Sequence, residues 1–256
     1  MSKPLSPLYL ATALLTLAGC QSTPSDNPKD QVDPQAFKAF TVDMQHALQL
    51  SIATAVTGEQ VGAVTLQVTL DRNSAPTACK ARVEPFKYGS KLPANVQPSD
   101  HKALAALVEG LCWKTIYPVV PAALFKGEAT VDMRAPIVVE LPGSVQAPSS
   151  ARLKANAQRE FFWQQLFRNQ PVNSIGRAAV FYQADAKGQV DGCLVQLSPT
   201  PLRSADFRLD GNLQAQLNSR CMQLNLRQMP GFSTNEQGKA EGYSEMDYAP
   251  WKVGRP

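Results

Sequence analysis

Apolar residues at 34–53 recur every three or four positions, and Phe37, Phe40, Met44 and Leu48 share one face. That spacing predicts an amphipathic helix. From residue 61 the period drops to two: 61–70 alternates, a polar turn follows, and 78–84 alternates again, which predicts a hairpin. A second helix is predicted from Ser99 or Asp100 as N-cap, through Leu104, Leu107, Val108 and Leu111, to Cys112. A closing strand covers 127–133 and extends to 140. The second half runs through the same succession. A helix near Ser150 carries Leu153, Ala157, Phe161, Phe162, Leu166 and Phe167, followed by a hairpin of 176–184 with 190–197. A helix from about Asp210 through Leu213 and Leu217 to Cys221 comes next, and a strand at 239–248 ends the unit.

The two successions register without a gap at landmark residues when the chain is slid against itself by 114 positions, the distance from Cys79 to Cys193. Pro34 then falls on Pro148, Gly62 on Gly176, Asp71 on Asp185 and Pro85 on Pro199. A period this long implies two copies of a whole domain, not a solenoid. The copies drift after the first cysteine: the second follows 33 positions later in one and 28 in the other, a difference assigned to a loop at 86–98. The predicted fold is α+β: two tandem repeats, each a helix followed by β-β-α-β with a three-stranded antiparallel sheet and one disulfide. The boundaries are 34–140 and 149–256, with a Pro/Ser-rich linker at 141–148.

Upstream, Lys3 precedes a short apolar run that ends in Leu17-Ala18-Gly19-Cys20. Such a run closed by small residues reads as a secretory signal, here 1–19. The Leu-Ala-Gly-Cys box resembles the cleavage and lipidation site of bacterial lipoproteins. The resemblance implies a mature chain beginning at an acylated Cys20, with Gln21 next to it implying sorting to the outer membrane. Residues 20–33 form a polar tether, and Gln21 to Pro34 spans at most about 46 Å extended. Export bears on the cysteines. With Cys20 lipidated, Cys79, Cys112, Cys193 and Cys221 remain, and four thiols in an oxidising compartment are expected to pair. Three connectivities exist; spacing and the repeat favour Cys79–Cys112 and Cys193–Cys221, each tying the second strand to the end of the overlying helix. Cys193 is therefore expected to face that helix.

Strand, turn, strand, helix and closing strand, with Leu104–Leu111, Trp113-Lys114, Tyr117-Pro118 and then Gly127–Met133, resembles the C-terminal domain of TonB and its relative TolA. The second copy, including Tyr248-Ala249-Pro250-Trp251, is similar to cysteine-bearing domains of that kind. Unlike those proteins, this chain has no inner-membrane helix once the signal is removed, so the family's way of binding carries over, not its energy coupling. The resemblance implies periplasmic modules that dock partner proteins by adding a strand to an exposed sheet edge. The expected edges are the closing strands, at Ala129, Val131 and Met133 and at Ala240 and Tyr243, unless the two copies pair with each other there. Trp113 and Trp163 are candidate interface aromatics.

Candidate chemistry is sparse. The chain has 25 basic and 21 acidic residues, scattered without a stripe, which argues against nucleic-acid binding. There is no Cys-x-x-Cys, and His46 and His101 are the only histidines, so no metal or other cofactor is expected. Common hydrolase, P-loop and dinucleotide motifs are missing. Asp43 and His46 share a helix face, His101 reads as part of a helix start, and Glu241, Glu245 and Asp247 form an acidic cluster read as a solvated strand face alternating with Tyr243 and Tyr248. The Phe161–Trp163 cluster with Phe167 reads as core. The expected function is an outer-membrane-anchored, periplasmic protein-binding adaptor and not an enzyme. The alternatives are a structural or chaperone-like accessory lipoprotein of an envelope assembly and, less favoured, an envelope hydrolase whose turnover would depend on Asp43 or His46.

Overall fold

In this computed structural model, residues 32–55, 62–83, 100–139 and 150–254 are described. Cys20, the signal and most of the tether, the 86–98 loop and the 141–148 linker lie outside them. The chain is α+β, with two separate three-stranded antiparallel sheets and two disulfides. Its first half runs α1 (Pro34–Ala55), β1 (Gly62–Asp71), β2 (Pro76–Val83), α2 (His101–Lys114) and β3 (Thr130–Val139). The second half runs α3 (Ser150–Phe162), β4 (Gly176–Ala184), β5 (Val190–Ser198), α4 (Gly211–Met222) and β6 (Ala240–Tyr248). The strand orders are β2-β1-β3 and β5-β4-β6, so the first strand of each half is central and the closing strand is an edge.

Strand parity explains the cores. Val64, Leu66, Val68 and Leu70 of β1 point to one face with Cys112, Val108 and Leu104 of α2, and Phe40, Met44 and Leu48 of α1 close the cluster. In the second half Ala178, Val180, Tyr182 and Ala184 of β4 face Leu213, Leu217 and Cys221 of α4. Asp100 caps α2 through Ala103 N at 3.1 Å, and Asp210 caps α4 through Leu213 N at 2.9 Å. Both disulfides have the favoured local connectivity, each with a Cα–Cα distance of 6.0 Å. Cys193 pairs in register with Tyr182 on the helix-covered face, as its spacing implied.

The two hairpins turn in the same way. Asp71 Oδ1 accepts from the N–H groups of Asn73 and Ala75 at 2.8 and 2.9 Å, and Asp185 Oδ1 from those of Lys187 and Gln189 at 2.9 Å each. The left-handed turn position is Ser74 (φ 59°) in one and Gly188 (φ 81°) in the other, where glycine carries no steric cost. Even the irregularity in register recurs, between Thr69 and Leu70 and between Gln183 and Ala184.

Three expectations change. The first closing strand begins at Thr130, not at 127, because Lys126 (φ 47°) and Gly127 (φ 86°) occupy a left-handed turn, so Ala129 lies just outside the strand and is exposed. Trp163, a candidate interface aromatic, is buried: a widened π turn at 163–167, with Arg168 N bonded to Trp163 O at 3.0 Å, brings Trp163, Leu166 and Phe167 all inward. Trp163 stacks on Phe167 and Phe167 on Tyr248, with centroids 5.5 Å apart in both pairs. Tyr248 consequently belongs to the core, on the face opposite Glu241, Tyr243, Glu245 and Asp247.

The halves meet along the segment after α2. Arg203, buried in a short helical turn of the second half, donates to Tyr117 O at 3.0 Å and Asn73 O at 3.1 Å while pairing with Asp206 at 2.6 Å. Trp251 Nε1 donates to Thr115 O at 3.2 Å, and Ile116, Ile175 and Ala249 bury one another beside it. The closing strands do not pair with each other; each ends its own sheet.

Candidate functional site

An edge strand offers a partner whichever N–H and C=O groups point away from its neighbour. On β1, Asp71 N bonds Ala75 O and Thr69 O accepts from Thr77 Oγ1, so its odd residues turn toward β2 and its even residues toward β3. The β3 residues opposite Leu66, Val68 and Leu70 are Ala135, Met133 and Val131, which therefore bond inward. Thr130, Asp132, Arg134 and Pro136 turn their backbone groups outward. Pro136, without an N–H, is tolerated on that side alone. Val131 and Met133 are thus on the right strand but in the inward set, with side chains half-buried against the core. Among the described residues, nothing hydrogen-bonds to the outer side of β3.

The other three edges carry caps. Glu109 of α2 accepts from Ala81 N of β2 at 2.9 Å, and Asn218 of α4 accepts from Val195 N of β5 at 2.6 Å. On β6, Arg159 Nε of α3 donates to Glu245 O at 2.8 Å, and Lys252 Nζ donates to Asp247 O. Only its first part, around Glu241 and Tyr243, keeps outward backbone groups free of described partners. Ala240 is buried opposite Ala184, and Tyr243 is half exposed. These caps were not readable from sequence, because each depends on which side chain of a helix reaches a strand distant along the chain.

The open faces differ in character. Tyr243 pairs with Phe181, which pairs with Leu194, so three large apolar side chains cross the second sheet, with the two rings 4.9 Å apart. On the first sheet the corresponding register positions hold Arg134, Gln67 and Lys80. Trp113 is half-buried at the end of α2.

A cleft of about 1170 Å³ opens between the halves, lined by α1, α2, α3 and the end of β6. Asp43 and His46 are exposed on its α1 wall, and neither side chain makes a hydrogen bond or ion pair to a described residue. His101 opens α2. Of the acidic cluster, Asp247 accepts from Arg177 Nε at 2.8 Å and Glu245 lies 3.8 Å from Arg177 Nη1, so one guanidinium holds both carboxylates; Glu241 accepts from Gln183 at 3.3 Å. Lys252 stacks its ammonium 4.8 Å above the Trp163 ring, and burial pushes its pKa down to about 8. The Trp163 indole N–H is buried without a partner among the described residues. Among the described residues there is no cluster of three or more His, Cys, Asp or Glu placed to hold a metal ion, and no helix long and apolar enough to cross a membrane. No known protein family, curated protein or solved structure matches this chain.

Proposed function

We propose that the chain is a lipid-anchored periplasmic adaptor of the outer membrane, built from two duplicated TonB/TolA-like modules that dock partner proteins. The duplication is supported by the matched Asp71 and Asp185 turns, the matched register irregularity and the matched caps from Glu109 and Asn218. One observation carries the binding reading: among the described residues, β3 is the edge whose outward groups, at Thr130, Asp132 and Arg134, meet no cap. An extended partner segment would bond there as a fourth strand, with its alternate side chains laid beside the polar face of Gln67, Lys80 and Arg134.

The test is photo-crosslinking in intact cells of the source bacterium, with a reactive residue replacing Arg134 and a second probe at Tyr243. A single heterologous protein captured from position 134 is expected. Its yield should fall when Asp132→Pro removes one outward N–H, a change for which Pro136 is the native precedent. Capture indifferent to Asp132→Pro, or links confined to this chain, would overturn docking at this edge.

A further inference from the structure

The cleft between the halves is chemically lopsided. Much of its wall is apolar, with Leu50 of α1, Leu107 and Leu111 of α2, and Leu153 and Ala157 of α3. At the β6 end it turns polar, where Lys114, Arg159, Arg177 and Lys252 gather with Glu160, Glu245 and Asp247. Four cations against three carboxylates leave one positive charge in excess. The ion pairs show where it falls. Arg177 takes Asp247 and Glu245, and Lys114 lies 3.6 Å from Glu160. Arg159 and Lys252 have no described carboxylate within salt-bridge distance. Arg159 rests on Glu245 O and on Asn156 Oδ1, the latter at 2.8 Å, and Lys252 rests on Asp247 O and the Trp163 ring.

From this placement we infer that the cleft is a binding site for an elongated apolar molecule bearing one carboxylate, its hydrocarbon against Leu107, Leu111 and Leu153 and its carboxylate on Lys252 beside Arg159. A half-buried ammonium whose nearest neutral partners are a carbonyl and an indole gains a charge-assisted hydrogen bond from an incoming carboxylate. Burial holds the Lys252 pKa low against the pull of Asp247 and Glu160, and the same anion would screen the repulsion from Lys114 and Arg159 that adds to it. The volume exceeds that of ordinary small-ligand pockets, roughly 300–1,000 Å³, so a chain of about ten carbons fits with room to spare. This site is independent of the β3 edge, and partner capture and ligand binding are read separately.

The experiment is calorimetric titration of the full chain with decanoate, decanol and decyltrimethylammonium, all below their aggregation concentrations. Decanoate is expected to bind roughly tenfold or more tightly than decanol, as one hydrogen bond to a charged group implies. Lys252→Met, which keeps most of the apolar stem, should erase that preference and leave decanol binding unchanged, while Lys252→Arg should retain it. Circular dichroism melts of both variants confirm that they fold. Equal binding of decanoate and decanol, a preference that survives Lys252→Met, tighter binding of the cationic amphiphile, or no binding of any of the three would each overturn the assignment.

Discussion

Lys80, Gln67 and Arg134 cross the open face of the first sheet at the register positions that Leu194, Phe181 and Tyr243 occupy on the second. Beneath those rows the two sheets agree. Leu66 and Val180 sit at corresponding inward positions, both fully buried, and each half closes over its sheet with a capped helix and one disulfide. The difference shows how strand parity divides the labour. Inward positions hold the topology and are alike in character, while positions one residue away face outward and differ. The edges diverge in the same manner. The outer side of β6 is closed at Glu245 and Asp247 by Arg159 and Lys252, whereas nothing described closes β3. The first half therefore offers a polar surface with an open edge, and the second an apolar surface with a largely closed one.

The sharpest test of how deep the agreement runs is to remove each disulfide in turn. The closed loops are 33 and 28 residues, so restriction of the unfolded chain alone predicts nearly equal losses. Each is expected to cost about 3–4 kcal/mol, with the two within a few tenths of each other. Guanidinium unfolding of Cys79→Ala/Cys112→Ala beside Cys193→Ala/Cys221→Ala measures both. Losses differing by more than about 1 kcal/mol would place the difference in the native packing around the bridges. A somewhat smaller effect is expected at the seam. Arg203→Leu removes hydrogen bonds from Tyr117 O and Asn73 O, both of the first half, and should cost about 2–3 kcal/mol. Calorimetry should then resolve two transitions. If one transition remains, the halves are coupled mainly through Ile116, Ile175 and Trp251.

Much of this architecture was legible in the sequence. The shift of 114 positions that overlays Cys79 on Cys193 also overlays Asp71 on Asp185, and both aspartates make the same turn. Local chemistry fixes such features: an N-cap, an Asx turn or a period-two strand needs only its neighbours. Other features were not legible. The π turn at 163–167 alters which residues share a face, so the joint burial of Trp163, Leu166 and Phe167 does not follow from ideal helical spacing. The left-handed pair Lys126 and Gly127 delayed β3, which left Ala129 outside the strand. The outward set on β3 follows from how β1 bonds to β2: alternation shows which side chains face the core, not which backbone groups bond inward. The caps on β6 and the cleft required the halves to be placed side by side.

Exchanging outward residues between the sheets should be nearly silent in stability. Phe181→Gln gives the second sheet the residue that the first has at Gln67. Phe181 is 42% exposed and meets the Tyr243 ring on the open face, so the loss should stay below about 1 kcal/mol in urea unfolding. A loss above about 2 kcal/mol would mean that the apolar row is covered in the folded chain and contributes to its core.

The last expected effect is a slope with pH that Lys252 gives to the stability of the second half. Folded, Lys252 holds its proton less tightly than the unfolded chain does, at about 8 against the ordinary 10.5. Between those values the unfolded state binds more protons, so stability should rise as pH rises from 8, and should lack this contribution below 8. Tyr117 acts in the opposite sense at higher pH. Burial raises its phenol pKa, so the unfolded chain releases that proton first and stability falls once ordinary tyrosines ionise near about 10. The interval from about 8 to about 10 therefore isolates Lys252. Thermal melts across it should show a rising Tm in the native chain and a flatter profile in Lys252→Met. An identical slope in the variant would mean that the ammonium is solvated as freely in the folded chain as in the unfolded one, and the tail would then set no difference between the halves.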